Sequence, residues 1–223
     1  PYEISLLLDS YFRKRGLRKQ IQITFITPET RILEFASPRY SEKLTAIMKE
    51  RGINVLVRRN AQSLFKGQAL AIGDGDIPGD LFIGIPHHIG PAPFRDSVIA
   101  GPSGWIEVDP ASLATCLPDV YAVGDATGIQ SPAGTWIPKV GFFAHYQAEV
   151  VARNLALQYA GKEPKFSFVG GASGASLLSS FSRGCFVSVD AYASPPSMTL
   201  SSPTRLAYLT KILFEKYWLR SWF

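Results

Sequence analysis

The sequence predicts an α/β fold whose parallel sheet begins without its first strand. Residues 1–57 show a helical, an alternating, a second helical and a short apolar pattern, which is the element order of an α/β unit. Such a unit normally begins with a central parallel strand and a glycine-rich turn, and both would lie before Pro1. We therefore expect the chain to be a fragment of a longer protein. An intact protein that begins with a helix is the alternative.

Each of these first four elements has a local reason. Residues 1–16 begin with a proline and an early acid, which suit a helix N-terminus, and a glycine ends them. Residues 20–27 alternate polar and apolar side chains, as a half-buried strand does. Residues 38–51 carry apolar side chains on one helix face, and residues 53–57 are a short apolar run that predicts a second strand.

The rest of the chain continues the mixed pattern. Short apolar runs predict further strands at residues 80–86, 104–109, 120–123 and 184–191. Helical periodicity predicts helices at residues 140–159 and from 204 to the end. Between them, residues 129–138 are loop-like, 166–175 are rich in glycine and serine, and 194–203 are rich in turn-forming residues.

The final predicted helix is amphipathic. Spaced at about 100° per residue, its side chains form one broad apolar face and one charged face. The apolar face consists of Leu206, Leu213, Phe214, Tyr217 and Trp218, and the charged face of Arg205, Lys211, Glu215, Lys216 and Arg220. This composition suits the interface of an anionic membrane, and docking on the protein core or on a dimer partner fits the same pattern.

Composition excludes several classes of protein. The chain has 223 residues, of which 46% are hydrophobic, and this is enough for a packed core. No stretch approaches the roughly 20 apolar residues of a membrane-spanning helix. Two cysteines cannot form a disulfide framework, the three histidines are poorly placed for a metal, and we expect a reducing compartment. The net charge of +5 favours an anionic partner, but no nucleic-acid-binding signature is present.

Residues 115–125, TCLPDVYAVGD, are the most informative stretch. An apolar run with strand-forming character, expected to be buried, leads into Gly124 and Asp125. Glycine permits a sharp turn and close approach of a ligand, and a carboxylate can accept hydrogen bonds from hydroxyl groups. The pattern predicts a turn that binds the polyol part of a cofactor. The alternative is that Asp125 caps the following turn.

Three stretches together resemble the second half of the sulfide:quinone oxidoreductases. These are DLFIGIPHHIGPAPFRDS, then GWIEVDPASLATCLPDVYAVGDAT, then IPKVGFFAHYQAEVVARNL, and the resemblance continues to GCFVSVD and the terminal KILFEKYWL. That family belongs to the flavin-dependent disulfide-reductase superfamily and is related to the flavoprotein subunit of flavocytochrome c sulfide dehydrogenase. The resemblance implies a truncated Rossmann-like domain, the C-terminal portion of an FAD domain and a membrane-contacting tail.

The resemblance also implies domain bounds. Residues 1–109 would be the second dinucleotide-binding domain without its first strand, and residues 110–193 the C-terminal part of the FAD domain. Residues 194–223 would dock on a membrane or a partner. We expect a peripheral protein, on the cytoplasmic face of a membrane or cytoplasmic if the tail docks on protein, and a homo-oligomer is compatible with this reading.

The implied cofactor is FAD. Asp125 matches the family carboxylate that accepts a hydrogen bond from the ribityl chain, and Gly124 leaves room for it. Lys139 and the helix that follows it would stabilise negative charge on the reduced flavin, although a solvated lysine is the alternative. Gly141 matches a position beside the flavin and the approach of the quinone. Because the diphosphate loop is missing, we expect this chain alone to bind FAD weakly or not at all and to be inactive.

The implied reaction is oxidation of sulfide with transfer of electrons through FAD to a quinone. Cys185 matches the C-terminal redox cysteine, whose partner cysteine would lie outside this chain; reactivity requires a lowered pKa, and a buried packing role is the alternative. Cys116 is assigned to the core. The quinone would meet Phe186, Lys211, Phe214 and Tyr217, with a core role as an even alternative for Phe186. Two other functions remain open: a non-catalytic interaction or membrane-docking module, and a flavoprotein that uses a cytochrome or a nicotinamide.

Overall fold

A computed structural model describes residues 1–65, 68–71 and 75–222, and it begins with the predicted α/β unit. Helix α1 (Tyr2–Lys14), strand β1 (Ile23–Ile26), helix α2 (Pro38–Glu50) and strand β2 (Ile53–Leu56) follow in order. The two strands pair in parallel, with Ile23 opposite Ile53 and Ile26 opposite Leu56. All four predicted elements are confirmed, because their periodicities arise from one buried side per element.

The other elements form two further sheets and two long helices. Strands β3 (Ala61–Phe65), β4 (Gln68–Ala71) and β5 (Gly75–Pro78) make an antiparallel sheet in that order. Helix α3 (Gly141–Tyr159) precedes a sheet of β6 (Gly171–Ser180), β7 (Arg183–Asp190) and β8 (Ser197–Leu200). Helix α4 (Arg205–Trp222) ends the described chain. Both helices and the strand predicted at residues 184–191 are confirmed.

Three predicted strands are wrong. Residues 80–86 form no strand, and Leu81, Ile83 and Ile85 are 75%, 56% and 59% exposed. Residues 104–109 and 120–123 contribute only single bridges, such as the pair Ala114 and Tyr121, and the run at 120–123 is not buried. An apolar run becomes a strand only where another strand pairs with it over several residues, and in the described part of the chain these runs form at most isolated bridges.

Two regions became strands without a sequence signal strong enough to predict them. Strand β6 begins within the glycine- and serine-rich residues 166–175, and β8 lies within the turn-rich residues 194–203. The β3 to β5 sheet was not predicted at all. Small and polar residues pair in these strands because sheet formation depends on partners that are distant in sequence.

The chain divides into two compact units. Unit 1 contains Pro1–Pro86, Ser173–Ser188 and Met198–Phe223, and unit 2 contains His87–Ala172 and Val189–Ser197. The three domains expected at residues 1–109, 110–193 and 194–223 stay a prediction. Most of the predicted tail, from Met198 onward, belongs to the same compact unit as the first α/β elements.

Unit 1 has a hydrophobic core between its helices and its parallel strands. The side chains of Leu6, Leu44 and Met48 are completely buried, and Phe25 and Ile53 from the strands join them. Burial of such side chains contributes roughly 1.5–3 kcal/mol each. The regular spacing of these residues explains why the helices could be located from sequence.

One carboxylate is buried beside this core. Asp9 is fully buried and lies 2.6 Å from the Nε of Arg18, 2.9 Å from the Nε of Arg13 and 3.5 Å from an Nη of Arg51. Burial alone would raise the pKa of Asp9, but hydrogen bonds and charge from Arg13 and Arg18 hold that pKa below its usual value. Arg18 also donates to the backbone oxygens of Arg51 and Gly52. This cluster ties α1 to the end of α2.

Within the described residues, no helix combines the length and the apolar character needed to cross a bilayer.

Candidate functional site

The residues Gly124 and Asp125 lie in a short 3₁₀ turn, Gly124–Ala126, of unit 2. Gly124 has φ +66, a left-handed conformation that favours glycine, and a Cβ added to it would lie 3.0 Å from the Cβ of Ala144. Its carbonyl oxygen accepts a hydrogen bond of 2.8 Å from the Oγ of Thr127. The glycine is therefore required by the backbone and by its close approach to α3.

A second side chain holds the same turn from the helix. The Oε1 of Gln147 accepts a hydrogen bond of 2.6 Å from the backbone N–H of Gly124. Gln147 is 1% exposed, so its amide is fixed by its surroundings. Asp125, in contrast, is exposed, so its carboxylate is available to a ligand.

A shallow pocket lies between this turn and the N-terminal end of α3. Its lining consists of Gly124, Asp125, Thr127, Ile137, Pro138, Lys139, Val140, Phe143, Ala144 and Gln147. The N-cap residue of α3, Val140, provides no side-chain hydrogen bond to the first turn, and this end of the helix carries partial positive charge. The pocket thus combines an acid, a cation, an apolar ring and the positive end of a helix.

Lys139 is held in place at the edge of this pocket. Its Nζ donates a 2.6 Å hydrogen bond to the carbonyl oxygen of Thr127 and lies 3.6 Å from the ring centroid of Trp105. Burial lowers the pKa of Lys139, and the nearby carboxylate of Asp125 opposes that shift. Lys139 is therefore half-buried and positioned on an aromatic face, which distinguishes it from a freely solvated lysine.

The structure brings together three of the four predicted cofactor residues in one pocket, namely Gly124, Asp125 and Lys139. Gly141 is the first residue of α3 and is exposed, but it is not part of the pocket lining. Their roles in cofactor binding stay predictions.

Cys185 lies in the core of unit 1. It is 1% exposed and packs in the cluster that contains Leu6 and Leu200. Burial raises the pKa of its thiol, and the charge of Lys43 opposes this only partly. This burial agrees with the packing alternative, and the redox role depends on the resemblance.

The prediction that Cys116 lies in the core is wrong. It was assigned to the core, but it is exposed, and its Sγ lies 3.5 Å from the carbonyl oxygen of Val98. The apolar residues around it in sequence favoured burial, yet Leu117 and Val120 are exposed as well.

The predicted quinone residues lie in unit 1. Phe186 is 36% exposed, so it is not ordinary core. Lys211 donates a 2.6 Å hydrogen bond to Glu3 and so joins α4 to α1. Phe214 and Tyr217 are exposed on α4. Their contact with a quinone stays a prediction.

Helix α4 presents large apolar side chains to the outside. Only Ala207 is fully buried, whereas Leu206, Leu209, Leu213, Phe214, Tyr217, Leu219 and Trp222 are 43–66% exposed. Of the predicted apolar face, Trp218 alone is half-buried. The charged face is not uniformly solvated, because Lys211 is half-buried against Glu3.

Sequence reasoning missed three residues of the pocket region. Gln147 looks like a surface residue of a helix, Thr127 looks like part of a loop, and Trp105 lies in a run that predicted a strand. Only the helical spacing between Val140 and Gln147, two turns apart, could have indicated that Gln147 shares a face with the start of α3.

The pocket fits part of a dinucleotide cofactor. A hydroxylated chain can donate to Asp125, and a ring that gains negative charge is favoured by Lys139 and by the end of α3. The left-handed Gly124 allows such a ligand to approach the backbone.

Comparisons relate the chain to known proteins. Residues 4–148 match the model of the pyridine nucleotide-disulphide oxidoreductase family. The chain is 31% identical to the mitochondrial sulfide:quinone oxidoreductase of Mus musculus over 58% of its own length and 30% of that protein. It is 26% identical to the sulfide-quinone reductase of Aquifex aeolicus over 98% of its own length and 54% of that protein.

The comparison with solved structures also finds the Aquifex aeolicus protein. The crystal structure of the Aquifex aeolicus sulfide:quinone oxidoreductase matches with a TM-score of 0.79 at 22% identity, over 98% of this chain and 54% of that one. The resemblance found in the sequence is confirmed, as is the α/β fold class. The chain spans between about one third and one half of the length of these relatives.

Proposed function

Because the chain belongs to the pyridine nucleotide-disulphide oxidoreductase family, we propose that it forms part of an FAD-dependent enzyme that oxidises sulfide and reduces a quinone. The observation that carries the proposal is the pocket that joins the Gly124 and Asp125 turn to Lys139 at the start of α3. Similarity to two sulfide:quinone oxidoreductases supports the choice of substrates.

Different residues of the pocket would bind different parts of the flavin cofactor. Asp125 would accept a hydrogen bond from a ribityl hydroxyl, and Gly124 would leave space for it. Lys139 and the N-terminal end of α3 would stabilise negative charge on the ring, while Phe143 would exclude water on the apolar side. FAD itself supplies two-electron redox chemistry when bound.

The proposed redox cysteine, Cys185, and the proposed quinone-binding residues lie in unit 1. Cys185 would contribute one thiol of a redox pair, which requires that its burial be relieved before it reacts. Phe186, Lys211, Phe214 and Tyr217 would contact the quinone. The exposed apolar side chains of α4 support the proposal that the quinone comes from a membrane.

An assay on the product of the complete gene tests this function. We expect the purified protein to be yellow and to reduce a soluble quinone only when sulfide is added. If the protein contains flavin and reduces a cytochrome but not a quinone, the cytochrome takes the place of the quinone as the electron acceptor in the proposal. A colourless protein that cannot be reconstituted with FAD would overturn it.

Vesicle binding tests the role of α4. Substitution Leu213→Glu adds a charge to the exposed apolar face, and we expect binding to phosphatidylserine vesicles to weaken at least about tenfold. Co-sedimentation measures the effect, and Leu117→Glu in unit 2 adds the same charge to another exposed leucine as a control. Equal loss of binding in both variants, or no binding by the unmodified protein, would exclude this membrane surface.

The alternative is a non-catalytic docking module. It shares the apolar surface of α4 but predicts no flavin in the complete gene product. The two proposals therefore differ in one measurable property, the flavin content.

A further inference from the structure

The side-chain amide of Gln147 has two chemically different ends, and one of them, the oxygen, holds the Gly124 turn. Its Oε1 accepts the 2.6 Å hydrogen bond from the N–H of Gly124, which fixes the other terminal atom as the amino nitrogen Nε2. Within the described residues, the Nε2 group makes no hydrogen bond. Gln147 is 1% exposed and lines the pocket beside Asp125 and Lys139.

An amide N–H without a protein partner can donate a hydrogen bond to a ligand. A ligand oxygen in the pocket would accept from this amino group. The position of Gln147, two helical turns after Val140, places this donor deeper along α3 than the helix's own N-terminal amides.

We propose that Gln147 is a binding and positioning residue for the flavin cofactor. Its carbonyl end holds the left-handed Gly124 turn, and its amino end donates a hydrogen bond to an acceptor oxygen of the cofactor. This inference rests on the proposed function for the identity of the ligand, but the positioning half concerns the turn alone.

The positioning role is measurable at the N–H of Gly124, because other hydrogen bonds hold the rest of the turn, such as the one from the Ile106 N–H to the Ala126 carbonyl oxygen. The carbonyl of Gly124 is held by Thr127, whereas its N–H depends on Gln147. Loss of the acceptor therefore frees the amide of one residue, and amide hydrogen exchange reports on that residue directly.

Two variants separate the two ends of the side chain. Gln147→Glu keeps an oxygen that accepts from Gly124 but removes the donor, and Gln147→Met removes both at similar length. Gln158→Met changes an exposed glutamine on the same helix and serves as the control.

The first measurement is residue-resolved amide exchange of the 223-residue chain without ligand. We expect the Gly124 amide to exchange about five- to tenfold faster in Gln147→Met and to be nearly unchanged in Gln147→Glu and Gln158→Met. Unchanged exchange in Gln147→Met overturns the positioning role, whatever the protein binds.

The second measurement is the dissociation constant of FAD for the apoprotein made from the complete gene. We expect about tenfold weaker binding in both Gln147 variants and no change in Gln158→Met. Unchanged affinity in Gln147→Glu overturns the donor role and leaves the proposed function intact. Absence of FAD binding in the unmodified protein overturns the proposed function and the donor role together.

Discussion

Substitution Asp9→Ala is expected to lower the free energy of unfolding of unit 1 by about 3 kcal/mol, because it leaves a cluster of arginines without their buried partner. Arg18 is the most buried of the three, with 15% of its side chain exposed, and it would lose a 2.6 Å contact. Exchange of the most protected amides of β1 and β2 should become about 100-fold faster.

The matched control is Glu215→Ala, which removes an exposed acid from α4 of the same unit. It should leave these exchange rates within a factor of about two. If Asp9→Ala behaves like this control, the arginine cluster does not stabilise the fold.

The lowered pKa of Asp9 predicts how the stability of the protein depends on pH. The pKa of Asp9 is lower in the folded protein than in the unfolded chain, so its contribution is complete above the unfolded pKa of about 4. The contribution is lost as the pH falls through the lower folded pKa. The difference in stability between the native protein and Asp9→Ala should therefore shrink below about pH 4, and urea denaturation at several pH values measures it.

Substitution Asp125→Ala is expected to weaken FAD binding by about 10- to 100-fold in the product of the complete gene. The exposed carboxylate is the acceptor assigned to a ribityl hydroxyl, and alanine provides none. Titration of the apoprotein with FAD, followed by flavin fluorescence, gives the dissociation constant.

An exposed acid in the same unit provides the control for Asp125. Asp96→Ala removes one negative charge from unit 2 outside the pocket and should not change the affinity. Equal affinities for FAD in the Asp125 variant and the native protein would place the cofactor elsewhere.

Local sequence signals predicted the parts of the fold that depend on local packing. Helices α1 and α2 and strands β1 and β2 were found because each buries one regularly spaced side, with Leu6 and Leu44 completely buried. The apolar run at residues 80–86 has the same composition as a buried strand, but in the described part of the chain no strand pairs with it, and it stays exposed. Composition alone does not report whether a partner strand exists.

The candidate site was predicted in part for similar reasons. Gly124, Asp125 and Lys139 could be selected because a turn after an apolar run and a cation before a helix are local patterns. Gln147 was missed because a glutamine on a helix usually faces solvent, and only the folded turn shows its contact with Gly124. The burial of Cys185 also depends on contacts with residues more than 100 positions away.

The most direct test is a crystal structure of the protein expressed from its complete gene and loaded with FAD. We predict a ribityl hydroxyl within about 2.5–3.2 Å of a carboxylate oxygen of Asp125, and the flavin ring next to Lys139 at the start of α3. A flavin bound away from this pocket, with Asp125 in contact only with solvent, would contradict the account.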